Sequence, residues 1–248
     1  MIKIGIIGGS GLDNPDFMDY YGSEYMDTPY GAPSSEIIYG EINDVKVAIL
    51  SRHGKRHQLS PSEVNYRANI YALIESGVTH IIATTACGSL KEEIGRGDFV
   101  VPDQFIDFTK HRKNTFFDSF EKGARHAPMA DPFDENLRHA LIETAGELSL
   151  KCHRKGTVIT IEGPRFSTRA ESNMFRILGG DIINMSIAPE ASLANESQIP
   201  YAAIAMSTDY DCWKTDEEPV SWEEIMEVFN NNAENMKKIL VNITDKIR

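Results

Sequence analysis

The chain is predicted to fold as a single α/β domain whose sheet is covered on both sides by helices. Three observations predict it. Apolar, β-branched runs alternate with helical patterns from one end of the sequence to the other. Several runs are apolar at consecutive positions, as strands packed on both faces require. No repeat, low-complexity stretch or Gly/Ser/Pro-rich linker divides the 248 residues. One core at that length buries roughly 70–75% of the unfolded surface.

The predicted strands are 2–7, 36–39, 45–51, 79–84, 98–101, 157–161, 181–184 and 201–207. Helix starts are read from capping chemistry. Ser60-Pro61-Ser62-Glu63 combines a serine cap, a proline at the first helical position and a glutamate three residues after the cap. Thr168 with Glu171, and Ser221 with Glu224, have the same form. A further helix is expected over 134–150, with Leu137, Leu141 and Leu148 inward. The last helix places Ile225, Val228, Phe229, Met236, Ile239, Leu240 and Ile243 near one face. Residues 105–133 carry His111, Arg112, Lys113, Phe116, Phe117, Arg125 and His126 with little periodicity. They read as a long functional or interfacial excursion.

Composition narrows the function. With 37 acidic and 25 basic side chains the net charge is -12, which argues against a nucleic-acid or membrane surface as partner. An anionic ligand would therefore need a local basic pocket. No run approaches the ~20 apolar residues of a membrane span, and glycines interrupt the amino terminus too early for a signal peptide. Cys87, Cys152 and Cys212 are odd in number and far apart, without zinc-like spacing. The expectation is free thiols in a reducing cytoplasm and no metal.

The chemistry gathers after strand ends. Gly8-Gly9-Ser10-Gly11 follows the first strand. The third glycine of a dinucleotide fingerprint is replaced by Asn14, so the turn suits either a mononucleotide-scale phosphate cradle or tight packing. Ser51-Arg52-His53-Gly54-Lys55-Arg56-His57 is a cationic cluster where open α/β sheets bind ligands. Arg52 offers a bidentate fork to an oxyanion, with His53 donating beside it. Thr84-Thr85-Ala86-Cys87-Gly88 ends another strand, with Thr85 offering a hydroxyl and Ala86 its backbone; Cys87 reads as a small buried hydrophobe. Phe166 suits stacking on a flat ligand as well as core packing. Asn184-Met185-Ser186 places polar atoms after a further strand. Asp209 and Asp211, two apart on an extended backbone, would face the same way. Such a pair can keep one carboxyl protonated and the other ionised, which would match the acceptor N7 and donor N6 of adenine; a metal-binding or capping role is the alternative.

Taken together and in order, these segments resemble the trimeric purine nucleoside phosphorylase family, in its branch acting on 6-aminopurine thionucleosides. The resemblance implies a mixed, twisted sheet flanked by helices in one domain over 1–248. It implies phosphate-dependent cleavage of the N-glycosidic bond of methylthioadenosine to adenine and 5-methylthioribose 1-phosphate. Inorganic phosphate is then a co-substrate, with no metal or organic cofactor. Carried over by motif, Ser10, Arg52, His53, Thr85, Ala86 and Ser186 would bind phosphate. Met185 would lie against the ribose, and Phe166 and Ser167 would border the base. Asp211 would meet N6, and Asp209 would be the catalytic group at N7. The resemblance also implies a homotrimer or dimer of trimers, in which His126 reaches across to a neighbour's 5′ group. The rival is a 6-oxopurine phosphorylase acting on methylthioinosine or inosine, which would favour Asn where Asp211 stands.

Overall fold

The computed structural model describes residues 2–8, 16–121, 123–216 and 221–247. One mixed sheet of eleven strands runs through them. At its centre lie β1 (Lys3–Gly8), β4 (Val45–Ser51), β5 (His80–Ser89) and β11 (Tyr201–Asp209). β1 pairs in parallel with β4 and β5, and β11 pairs in parallel with β5. The carboxyl ends of all four therefore meet at one edge. β2 (Asp19–Glu24) and β3 (Ile37–Ile42) add antiparallel strands beyond β4.

The far end of β5 takes a further partner, Gly88 also keeping its place opposite Asp209 of β11. Gly88 and Ser89 pair antiparallel with β10 (Ile182–Asn184). Beyond β10 come β9 (Thr157–Ile161) and β7 (Gln104–Phe108), both parallel. Two-residue β6 (Phe99–Val100) and β8 (Cys152–His153) close the side next to β11.

The consecutive apolar positions sort by parity. Ile7, Ala48, Leu50, Ile81, Ala83, Ala203 and Ala205 share one core, into which α1 (Tyr66–Glu75) and α4 (Ile187–Glu196) pack. Ile4, Ile6, Val47, Ile49, Ile82, Ala202, Ile204 and Met206 share the other, under α2 (Glu135–Glu147) and α5 (Trp222–Ile243). This is the period-two alternation of strands buried on both faces. A third, smaller core joins Phe175 of α3 (Arg169–Ile177) to Ile159 and Ile183.

Several expectations need correction. Ser60–Glu63 forms a turn, closed by Glu63 N–H on the Ser60 carbonyl at 3.0 Å, and not a helix. The helix begins at Tyr66, because Asn65 caps it by accepting from the Ala68 N–H at 3.1 Å. β7 occupies the start of the supposed excursion, so irregular chain is confined to the segment after Phe108. β2 and α4 carried no clear signal: β2 is exposed at five of six positions, and the Ser186 N-cap of α4 makes no side-chain capping bond. The boxes at Thr168 and Ser221 form as expected.

No described helix is long and apolar enough to cross a membrane. Leu73 of α1 is fully buried in the first core. Leu73→Ala is expected to lower the unfolding free energy by about 2–5 kcal/mol, read by denaturant unfolding with an unchanged m-value.

Candidate active site

The carboxyl-terminal edge of β4, β5 and β11 opens into a cavity of about 520 Å³. Arg52, His53, Thr85, Ala86, Phe166, Ser167, Met185, Ser186, Asp209 and Asp211 all line it. Segments distant in sequence thus converge because parallel strands end together. Ser10 lies outside the described residues. His126 is exposed, against the Phe120 ring at 5.4 Å, and does not line this cavity.

At one end stand the carboxylates. β11 ends at Asp209, and Asp211 follows with φ at 50°. The two are therefore joined by a turn and do not sit along an extended strand. Asp209 Oδ1 accepts from the Asp211 N–H at 2.7 Å, and Oδ2 accepts from the Thr208 hydroxyl at 2.8 Å. Burial lifts the Asp209 carboxyl to about 6; those two hydrogen bonds pull it back partly, and the Asp211 charge pushes it up. Asp211 is also raised by burial, against the nearby Ser172 hydroxyl and the Cys212 backbone. Its Oδ2, Ser167 Oγ and Ser172 Oγ are buried without a partner at hydrogen-bond geometry among the described residues, although both hydroxyls lie near enough to the carboxyl to offset part of its burial. Gly88 makes the space: a Cβ there would lie 2.9 Å from Asp209 Oδ1. Phe166 is 44% exposed, which excludes core packing for it.

The Trp213 of the same segment is structural, donating to the Ser89 carbonyl at 2.8 Å under the Arg176 guanidinium. Cys87 is buried, as expected.

At the other end is Arg52, 1% exposed. Its Nε and Nη2 donate to Glu190 at 2.5 and 3.0 Å, and Nη1 donates to the Thr84 carbonyl at 2.9 Å. Burial opposes the charge, but Glu190 overrides it and holds the guanidinium above its ordinary value. Three of the five N–H groups are engaged this way, which leaves two for a ligand. The expected bidentate fork is therefore partly occupied by Glu190.

His53 corrects a polarity. Its Nδ1 meets the Leu59 carbonyl at 2.9 Å. A carbonyl only accepts, so Nδ1 carries the proton. Burial, then the Arg52 charge, pushes the imidazole down to about 4. At neutral pH the ring is uncharged and Nε2 accepts, where the sequence had suggested a donor.

Sequence reasoning missed several residues. Glu190 carried a signal, as a lone carboxylate amid the apolar run of α4, where an acid needs a buried cation. Ile225, Met226 and Phe229 of α5 also line the cavity; their periodicity announced a core face, which does not distinguish a core wall from a ligand wall. Arg112 carries its fork to Glu162, with Nε on Oε1 at 2.8 Å, and reaches the Met185 carbonyl at 3.0 Å. It thereby fixes the strap that presents Met185.

Residues 3–245 match the Phosphorylase superfamily. The chain belongs to this superfamily. It is 52% identical to an S-methyl-5′-thioadenosine phosphorylase of Xenopus tropicalis, over 99% of this chain and 89% of that one. It is 51% identical to the protein of that name from Thermofilum pendens, over 99% and 92%. A solved structure of methylthioadenosine phosphorylase from Schistosoma mansoni in complex with adenine is 44% identical, with TM-score 0.94 over 100% of this chain and 92% of that one. A variant of the Schistosoma enzyme, in complex with methylthioadenosine, matches at TM-score 0.93 and 42% identity, over the same shares. The mixed sheet with flanking helices is thus the superfamily's architecture, as expected.

Asp209 generates a pH prediction. Its carboxyl is raised from 3.8 unfolded to about 6 folded, so it favours folding below the lower value and loses that contribution as pH rises through the upper one. Asp209→Asn abolishes the loss. Between pH 4.5 and 7 the variant should gain about 2 kcal/mol on the parent protein in unfolding free energy, measured by denaturant titration at both pH values.

Proposed function

We propose that this chain catalyses phosphate-dependent cleavage of S-methyl-5′-thioadenosine to adenine and 5-methylthioribose 1-phosphate. The observation that carries the reading is the buried, unpartnered Oδ2 of Asp211, an acceptor that an adenine N6 amino group would satisfy. The names of the relatives support the same reaction.

In this reading the base lies against Phe166 and Ser167, and Asp209 hydrogen-bonds N7. With a carboxyl near 6, roughly one molecule in ten is protonated at pH 7 in the empty site. As the glycosidic bond lengthens, electron density collects on the base and draws the Asp209 proton toward N7. Met185 lies under the ribose. Phosphate, held by Arg52, His53, Thr85, the Ala86 backbone, Ser186 and Ser10, meets the developing cation at C1′ and captures it. No group in this sequence of events requires a metal or an organic cofactor; phosphate is the co-substrate. Ile225, Met226 and Phe229 offer an apolar wall to the 5′-methylthio group.

Adenine release, followed by absorbance, should require both methylthioadenosine and phosphate; release without phosphate would overturn the reading. Asp211→Asn should lower kcat/KM on methylthioadenosine by roughly 1–3 kcal/mol, since an amide donor then faces the N6 donor. The ratio of specificity constants for methylthioinosine over methylthioadenosine should rise; an unchanged ratio would remove the basis for preferring the 6-amino base over the 6-oxopurine rival.

The assembly proposed is a homotrimer or dimer of trimers in the cytoplasm, with His126 completing a neighbour's site. The exposed Phe120 beside His126 supports a covered face there. Light scattering should give a multiple of three chains, and His126→Ala should weaken methylthioadenosine binding without altering phosphate saturation. A fully active monomer would refute the proposal.

A further inference from the structure

The oxyanion end of the cavity has an unusual balance. Arg52 is buried, and Glu190 lies on two of its nitrogens, so the pair carries no net charge. The other titratable or charged groups facing His53 are the ring of His57, tilted against it with centroids 4.7 Å apart, and Arg112, already paired with Glu162. Lys55 and Arg56 are exposed and do not line the cavity. Beside the hydroxyls of Thr85 and Ser186 and the Arg52 guanidinium, the His53 ring brings an atom of opposite polarity to the cavity. Because the Leu59 carbonyl engages Nδ1–H, the atom His53 has left for a ligand is the acceptor Nε2.

We propose that His53 Nε2 accepts a hydrogen bond from a hydroxyl of the bound phosphate, so that the site selects oxyanions that still carry a proton and discriminates against sulfate. The inference rests on the phosphorolytic reading and specifies the form of its co-substrate. Phosphate and arsenate keep at least one proton at neutral pH. Sulfate has the same tetrahedral shape and keeps none. Placed here it sets an anionic oxygen against a lone pair with no proton between them, an unmade buried hydrogen bond. The neutral state of the ring agrees with its burial and with Arg52 beside it.

Calorimetric or thermal-shift titrations with sodium phosphate, arsenate and sulfate at pH 7.5 and matched ionic strength read this directly. Phosphate and arsenate should bind alike, and sulfate about tenfold more weakly or worse. In His53→Gln the side-chain amide can turn to donate, so the phosphate-to-sulfate ratio should collapse to within about threefold. A parent protein that binds sulfate as tightly as phosphate overturns the inference, whether or not the variant folds. So does a folded His53→Gln that keeps the parent's ratio. Phosphorolysis assays alongside separate the two readings. An active enzyme inhibited by sulfate at phosphate-like concentrations refutes the proton requirement and leaves the reaction standing. A chain inactive on nucleosides that still prefers phosphate to sulfate refutes the reaction and leaves the polarity of the site standing.

Discussion

The buried pair of Arg52 and Glu190 is where the parts of this molecule are tied together. Arg52 follows the last residue of β4, Glu190 sits in the middle of α4, and the guanidinium also holds the Thr84 carbonyl of β5. Glu190 in turn accepts from the hydroxyl of Tyr201, the first residue of β11, at 2.9 Å. Three central strands and a helix thus share one network. Removing a single partner from such a pair typically costs about 3–5 kcal/mol, whereas replacing both with apolar groups is often neutral. Stability alone therefore gives no reason to keep it. What the network supplies is orientation: a guanidinium held on one side by a carboxylate presents its remaining N–H groups in a fixed direction.

The opposite end of the cavity is built on the contrary principle. Asp211 Oδ2 and the hydroxyls of Ser167 and Ser172 are buried and unsatisfied among the described residues. The two hydroxyls stand near the Asp211 carboxyl, and a base bearing donors and acceptors would complete the hydrogen bonding of all three. The close approach that permits this depends on Gly88, where β5 passes behind the two carboxylates with no side chain between.

How far the sequence announced all this depends on the physics behind each signal. The strands of the central sheet were legible because burial on both faces leaves unbroken apolar runs at Ile4–Ile7 and Tyr201–Met206. The residues at their ends were legible as chemistry because polar groups directly after such runs have few structural reasons to be there. β2 was not legible, since an exposed edge strand such as Asp19–Glu24 needs no hydrophobic alternation. Ser60–Glu63 misled because a capping box is a local preference, and Asn65 competes for the same helix with a satisfied cap and a second bond to the Tyr30 carbonyl. The protonation of His53 was beyond sequence, because it is decided by a carbonyl six residues away that the loop folds back to reach.

One strand has a consequence for how the chain comes to be. β5 takes β1 on one side, with Ile4 opposite His80, and β11 on the other, with Tyr201 opposite Ile81. The middle of the sheet is therefore assembled from the beginning, the first third and the last fifth of the polypeptide. While the ribosome is still adding residues up to Asp209, β5 stands with a bare edge and its apolar faces uncovered. Loop closures of this span slow folding, and an exposed edge invites association with other chains. The nascent protein has to be kept from its neighbours until β11 has emerged, and that last strand to arrive carries Asp209, with Asp211 just after it.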